Sequence, residues 1–131
     1  MAQQKMPETI HVHRLQGQQP FAEAVDEVDD CLRQAVAKGA SLVLIDVRGL
    51  TGFAKPDLLS RVSMVRRWAS TSRGRLKVAM ISPPELNDGE RFDVVLAQGL
   101  GFDGNVFESE EDARHWLEQK PALWTGPPSA F

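Results

Sequence analysis

Gly99-Leu-Gly101-Phe-Asp-Gly104 spells the glycine spacing of a dinucleotide-binding loop. That chemistry needs the loop to follow a strand and open a helix, so that the helix N-terminus faces the pyrophosphate. Here the glycines follow a helical pattern and lead into a strand pattern. They therefore predict a helix stop and a tight turn, with no nucleotide cofactor. His11 and His13 alternate with apolar residues, so a strand would point both rings to one face. A metal site needs three or four ligands, and no further Cys/His cluster adjoins them in sequence. No metal is expected.

Cys31 lies beside an apolar stripe, in the second half of a helical segment. A nucleophilic cysteine needs an activating base or a helix N-terminus, so a buried, inert thiol is expected. The serines show no Gly-x-Ser-x-Gly elbow. Asp46, Glu85 and Asp88 carry carboxylates that would do acid–base work if they met, but their spacing does not require it. No catalytic set is predicted.

Charge is unevenly spread. Residues 58–84 contain no acid but hold Arg61, Arg66, Arg67, Arg73, Arg75 and Lys77. Arg66, Arg67, Arg73 and Arg75 make a candidate basic surface. Glu23, Asp26, Glu27, Asp29 and Asp30 crowd the segment before it. The net charge is −3 and the pI about 5.6. An acidic domain without interleaved aromatic residues argues against nucleic acid. It leaves open a protein partner, or the two charged helices meeting each other across a dimer.

These residues need elements to position them. Thr9–Leu15 alternates like a half-buried strand marked by Ile10 and Val12. Phe21–Lys38 predicts a helix, with Pro20 at its start and Gly39 at its end. Ser41–Val47 is a nearly continuous apolar run, as in a strand buried on both faces. A loop over 48–55 follows. Pro56-Asp57 opens a helix to about Ser70, with Leu58, Val62, Val65 and Ala69 as its stripe and Leu59 and Trp68 on its flanks. Lys77–Ile81 is a second buried strand. Asn87 or Asp88, with Glu90, would cap a third helix. Asn105–Glu108 is a short strand, and Ser109 caps a last helix that turns Ala113, Trp116 and Leu117 inward.

Four βα units predict an α/β sandwich with a largely parallel sheet. The first strand is open to antiparallel pairing, and a hairpin around Leu15–Gln19 is an alternative. One domain over residues 9–120 is expected, between irregular tails at 1–8 and 121–131. The single cysteine excludes an internal disulfide, and no run of about 18 apolar residues suits a membrane span. The N-terminus lacks the apolar core of a signal peptide, so the expected location is cytoplasmic.

Open α/β sheets bind ligands beyond the carboxyl ends of their strands. That rule selects Asp46, Arg48, Thr51 and Lys55 after one strand, and Ser82, Glu85 and Asn87 after the next, as a ligand or partner edge.

Three stretches carry a resemblance. Leu42-Val-Leu-Ile-Asp-Val-Arg-Gly-Leu-Thr-Gly, Lys77-Val-Ala-Met-Ile and Asn105-Val-Phe-Glu-Ser-Glu-Glu-Asp-Ala-Arg-His-Trp-Leu together resemble STAS-like proteins. The similarity is to the bacterial branch related to sporulation anti-sigma-factor antagonists and to lipid-binding CRAL-TRIO domains. It implies a STAS-like sandwich: a four- to five-stranded, mostly parallel mixed sheet with about four helices. It also implies a protein-interaction or ligand-sensing module. Anti-sigma antagonists carry a phosphorylatable serine at the helix start after the Asp-containing strand. Counted from Asp46 through Gly49, that position falls at about Pro56, where there is no hydroxyl. Thr51 and Ser60 are nearby but displaced from it.

The expected function is therefore a non-enzymatic regulatory or protein-interaction module without that phosphoacceptor, through self-association or a protein partner. The alternative is a carrier or sensor of a small apolar or lipid-like ligand. Phe53, Leu58, Leu59, Trp68, Phe92 and Phe102 would line its cleft. An enzyme using Asp46, Glu85 and Asp88 comes third.

Overall fold

A computed structural model describes residues 9–86 and 92–119 of the 131. Those residues form four strands in one sheet, ordered β1-β2-β3-β4, and every neighbouring pair is parallel. The chain runs β1 (Ile10–Gln18), α1 (Phe21–Ala37), β2 (Leu42–Thr51), α2 (Leu58–Ser72), β3 (Lys77–Ile81), a 3₁₀ turn at Pro84–Leu86, α3 (Phe92–Gly99), β4 (Asp103–Phe107) and α4 (Glu110–Glu118).

The sequential strand order dictates the layers. Each crossover steps to the next strand in the same direction, and right-handed crossovers then put every connecting helix on one face. So α1, α2 and α3 pack on Val43, Ile45, Val47 and Val78. Among the described helices only α4 covers the other face, laying Ala113 and Leu117 on Leu42, Leu44, Ala79 and Ile81. β2 is buried on both sides from Leu42 to Val47, as its nearly continuous apolar run, broken by Asp46, predicts.

β1 settles two points that the sequence leaves open and departs from expectation in its core. It pairs parallel, and it continues through Gln18 with no hairpin, each residue there meeting one of Gly49, Leu50 and Thr51 on β2. Its core residue is Leu15, while Val12 is 37% exposed. Ile10 and Val12 lie on the α4 side, and only Ile10 packs into the α4 cluster. α4 packs against β2, β3 and β4, so the apolar residues of edge strand β1 have little to bury against. Arg48–Thr51 is accordingly strand, not the start of a loop. The register slips between Arg14 and Gln16, where β2 takes an extra residue.

The helices begin and end where local chemistry says. Asp57 accepts from the Ser60 amide at 2.8 Å and caps α2. Ser109 accepts from Asp112 N at 3.2 Å and caps α4. Lys77 Nζ donates to the carbonyls of Trp116 (2.7 Å) and Gln119 (3.0 Å), closing the C-terminal end of α4, and lies 4.6 Å from the Trp116 ring centre. Gly99 ends α3, Gly101 turns with φ 76°, and Gly104 enters β4. The dinucleotide spacing is thus a helix stop and a turn. The expected cap of α3 at Asn87 or Asp88 lies outside the described residues.

α2 is rotated from its predicted stripe. Val65, Trp68 and Ser72 are buried, whereas Leu58 is 51% and Leu59 78% exposed. Trp68 decides this. It buries more apolar area than a leucine, and its indole N–H reaches the Val25 carbonyl at 3.2 Å.

No helix among the described residues is long and apolar enough to cross a membrane.

Candidate functional site

The sheet holds two polar constellations, on opposite faces. The first lies under the start of α4. Asp46 points to the α4 side because it shares a pleat face with Leu42 and Leu44. Its carboxylate receives Arg14 Nη1 (2.9 Å), Arg48 Nε (3.0 Å), Arg48 Nη2 (2.9 Å) and the Arg48 amide (3.0 Å). Arg14 also grips Glu110 with two bonds (3.0 and 3.2 Å), and Arg114 Nε adds a third at 2.8 Å. The Arg48 bond to its side chain, above all, holds the Asp46 carboxyl down at about 2, against the opposing effect of burial. Hydrogen bonds from Arg14 and then Arg114 hold Glu110 at about 2. Both carboxylates stay ionised and engaged at neutral pH, so neither is a proton acceptor of useful strength.

The second constellation is a cleft on the three-helix face, at the carboxyl ends of β2, β3 and β4. It is a cavity of about 110 Å³. The walls are Phe21, Val25 and Val28 of α1, Met64 and Trp68 of α2, and Val94 of α3; Val47, Met80 and Val106 form its sheet side. Phe53 and Pro56 reach in from the segment before α2. Phe21 and Phe53 meet edge to face, with centroids 5.6 Å apart and planes at 66°. Among the described residues, Arg61, Asp93 and Ser82 add polar groups to this apolar lining. Arg61 Nε stands 3.8 Å from Asp93 Oδ1, and the Arg61 side chain is only 13% exposed. A contiguous recess, lined by Val65, Val78, Ala97 and Phe102, extends the cleft beneath α3.

Gly52 sets the entrance. Its φ is 106°, and a Cβ there would come within 2.9 Å of Gln18 Cγ and 3.0 Å of both Gln19 N and Gln19 O. Only glycine fits so tight a turn. Gln19 N donates to Thr51 O at 2.9 Å, tying the start of α1 to the end of β2. That bond brings Phe21 beside Phe53.

The predicted edge is therefore split. Asp46 and Arg48 come together, but on the α4 face. Ser82 is buried and faces the cleft on the other side. Register explains this: Asp46 pairs with Ile81, so the next residue, Ser82, points the opposite way. Thr51 and Lys55 are exposed at the strand end and in the following loop, and Glu85 is exposed in the 3₁₀ turn. Asn87 and Asp88 lie outside the described residues. Asp46 is held by arginines, not beside Glu85.

The expected contrast between an acidic and a basic helix resolves within the chain. Arg67 binds Asp26 at 2.5 Å and approaches Asp29 at 3.4 Å. Asp29, 2% exposed, also accepts from Arg33 and from Thr71 Oγ1 at 2.6 Å. Through these pairs α1 and α2 meet each other within the chain, and Arg67 is engaged. Arg66, Arg73 and Arg75 remain on the exposed surface.

His13 Nε2 lies 2.7 Å from Glu27 Oε2, on the α1 side of β1. His11 shares that side, and burial foremost pushes its pKa down. No group of three or more His, Cys, Asp or Glu among the described residues could hold a metal ion. Cys31 is buried, and desolvation, with the charge of Glu27 next, pushes its thiol up to about 11.

Of the apolar residues expected to line a cleft, Phe53 and Trp68 do so, and Phe102 lines the recess. Leu58 and Leu59 face solvent. Phe92 starts α3 but lines neither space. Sequence reasoning missed Arg14, Glu110 and Arg114, and on the cleft side Arg61, Met64, Met80 and Asp93. For the arginine cluster the one available signal was Arg14, a charge in place of the next apolar residue after Ile10 and Val12. A scan of family models finds no match to this chain, and a search of curated proteins finds none either.

Proposed function

We propose that this chain is a regulatory module of STAS-like kind whose input is a small, largely apolar ligand held in the cleft. It acts by binding rather than by covalent chemistry. The cavity among Phe21, Phe53, Met64, Trp68 and Met80 carries this reading. It lies between the three helices and the sheet, toward the carboxyl ends of the strands near which open α/β sheets take their ligands, and its aromatic and apolar lining with a few convergent polar groups is that of a ligand pocket. The described groups that would serve in catalysis are poorly placed for it. Asp46 and Glu110 are saturated by arginines, and the Cys31 thiol stays protonated at neutral pH. The likeness to anti-sigma antagonists supports a regulatory output. Pro56, where that family's phosphoacceptor serine falls, lines the cleft, so occupancy replaces phosphorylation as the signal.

The output surface on this reading is the start of α2. Leu58 and Leu59 are exposed there, two residues beyond the cleft wall at Pro56. A ligand that moves Pro56 would move this pair, and a protein partner or second copy would read the change. Native mass spectrometry of freshly purified protein, followed by calorimetric titration with small aromatic compounds, tests the proposal. Saturable uptake that disappears when Val28→Trp fills the cleft is the expected result. Protein that takes up no apolar compound at millimolar concentration would overturn it.

A further inference from the structure

Resting on α2 as the output surface, we infer that the partner read there is an amphipathic helix of another protein, apolar at one end and acidic along the rest of the face it presents. The solvent side of α2 carries Leu59, Ser63, Arg66, Ser70 and Arg73, at alternating steps of four and three residues. Such steps keep one side of a helix in line, and they recur where one helix packs along another. All five residues are exposed, Leu59 by 78%. The line runs for roughly 21 Å at 1.5 Å per residue. Its serines are short beside leucine and arginine, so hollows alternate with projections, as the side chains of a second helix require.

Charge decides what the occupant carries. No acid occurs between Leu58 and Pro84. Arg67 is engaged by Asp26 and Asp29. The guanidinium groups of Arg66, Arg73 and Arg75 have no ion-pair or hydrogen-bond partner among the described residues. All three lie along α2 beyond the Arg61–Asp93 contact with the first turn of α3. Arg73 ends the helix with φ 52°, and Arg75 N donates to Ser72 O at 2.9 Å, so a compact turn holds both cations at the foot of α2. A row of cations without acid neighbours repels its own copy, because in a two-fold contact centred on this line arginine meets arginine. Trp68, the aromatic residue of α2, is buried, and the net charge is −3, so neither stacking nor long-range attraction favours nucleic acid. A helix with an apolar residue against Leu59 and carboxylates against Arg66 and Arg73 complements the whole line. Arg66 and Arg73 are seven residues apart, so the partner's acids recur at that interval.

Two synthetic alanine-rich helices of about 18 residues test this. Each has a leucine pair at one end and, on the same face, two charged residues at the Arg66–Arg73 interval, glutamate in one peptide and lysine in the other. Both are made in forward and reversed order, because the line can be read in either direction. Fluorescence anisotropy against the full chain should show saturable binding of a glutamate peptide, about tenfold tighter than the lysine peptides and weaker in high salt. Arg66→Glu with Arg73→Glu should cost that peptide about tenfold, the loss two surface ion pairs support, and should admit a lysine peptide. Leu59→Ser should weaken both pairings, and far-UV circular dichroism establishes that each variant is folded. Equal affinity of the native chain for glutamate and lysine peptides, or a glutamate peptide indifferent to the double reversal, overturns the inference. So does arginine-dependent binding to phosphatidylglycerol vesicles without peptide binding, since the arginines would then face a bilayer. Peptide binding without uptake of aromatic compounds sustains this surface while the cleft reading fails; uptake without peptide binding does the reverse.

Discussion

The indole Nε1 of Trp68 donates to the main-chain carbonyl of Val25 at 3.2 Å. This bond joins the middle of α2 to the second turn of α1, directly over the cleft. It satisfies the one polar atom of a side chain that is otherwise buried. It also fixes the rotation of α2, placing Met64 and Arg61 on the cleft and Leu58 and Leu59 in solvent.

Trp68→Phe removes that donor and part of the packed ring. The loss should be about 1–3 kcal/mol, from one hydrogen bond plus a partly refilled space. Urea denaturation checks it through a lower midpoint at constant slope. A variant as stable as the parent would show that α2 is held by its other contacts.

Gly52→Ala tests the entrance. A side chain at φ 106° costs roughly 1–3 kcal/mol, and its Cβ would press on Gln19 N and Gln19 O, which are main-chain atoms with little freedom to yield. The melting temperature should fall by several degrees. Since Phe53 follows directly, uptake of small aromatic compounds should weaken further than stability alone explains. Equal affinity for those compounds would detach the Gly52 turn from the cleft.

Acid should loosen the α4 face. In the unfolded chain Asp46 titrates near ~3.9; in the fold it is held at about 2. A depressed carboxyl stabilises the fold above its unfolded value, and that stability is lost as pH falls through the folded value. The contribution of Asp46 is therefore complete above about pH 4–5 and gone below about pH 2, and amounts to about 2 kcal/mol. Glu110, also held at about 2, acts in the same window and the same direction. Unfolding free energy measured from pH 7 to pH 2 should fall with a slope that Asp46→Asn reduces. If Asp46→Asn leaves the acid limb unchanged, the bonds of Asp46 to Arg14 and Arg48 contribute nothing to stability.

Cys31 should be silent toward thiol reagents in the native protein. Its thiol is buried and pushed up to about 11, so little thiolate exists at pH 8. Reaction with a chromogenic disulfide should appear only on unfolding, at one thiol per chain. Rapid labelling of the folded protein would contradict the placement of Cys31 within the core.

Much of the architecture was legible because it rests on local chemistry. The largely apolar, β-branched runs at Leu42–Val47 and Lys77–Ile81 are short and bounded by turn residues, as strands buried on both faces are. The Asp57 and Ser109 caps and the glycine after α1 each act within one turn of helix, and each is found where its residue type predicts. The misplaced glycine fingerprint was likewise rejected on chain order alone. What tertiary structure decided is everything that depends on which faces meet. The pleat direction of Asp46 against Ser82 separated one expected edge into two faces. Pairing with the polar end of β1 made Arg48–Thr51 a strand. The neighbouring acid of α1 engaged Arg67, and the reach of the Trp68 indole turned α2 away from its most apolar stripe. Sequence spacing determines what each segment can bury; only packing determines against what, because a side chain's partner lies across a distance that no local pattern encodes.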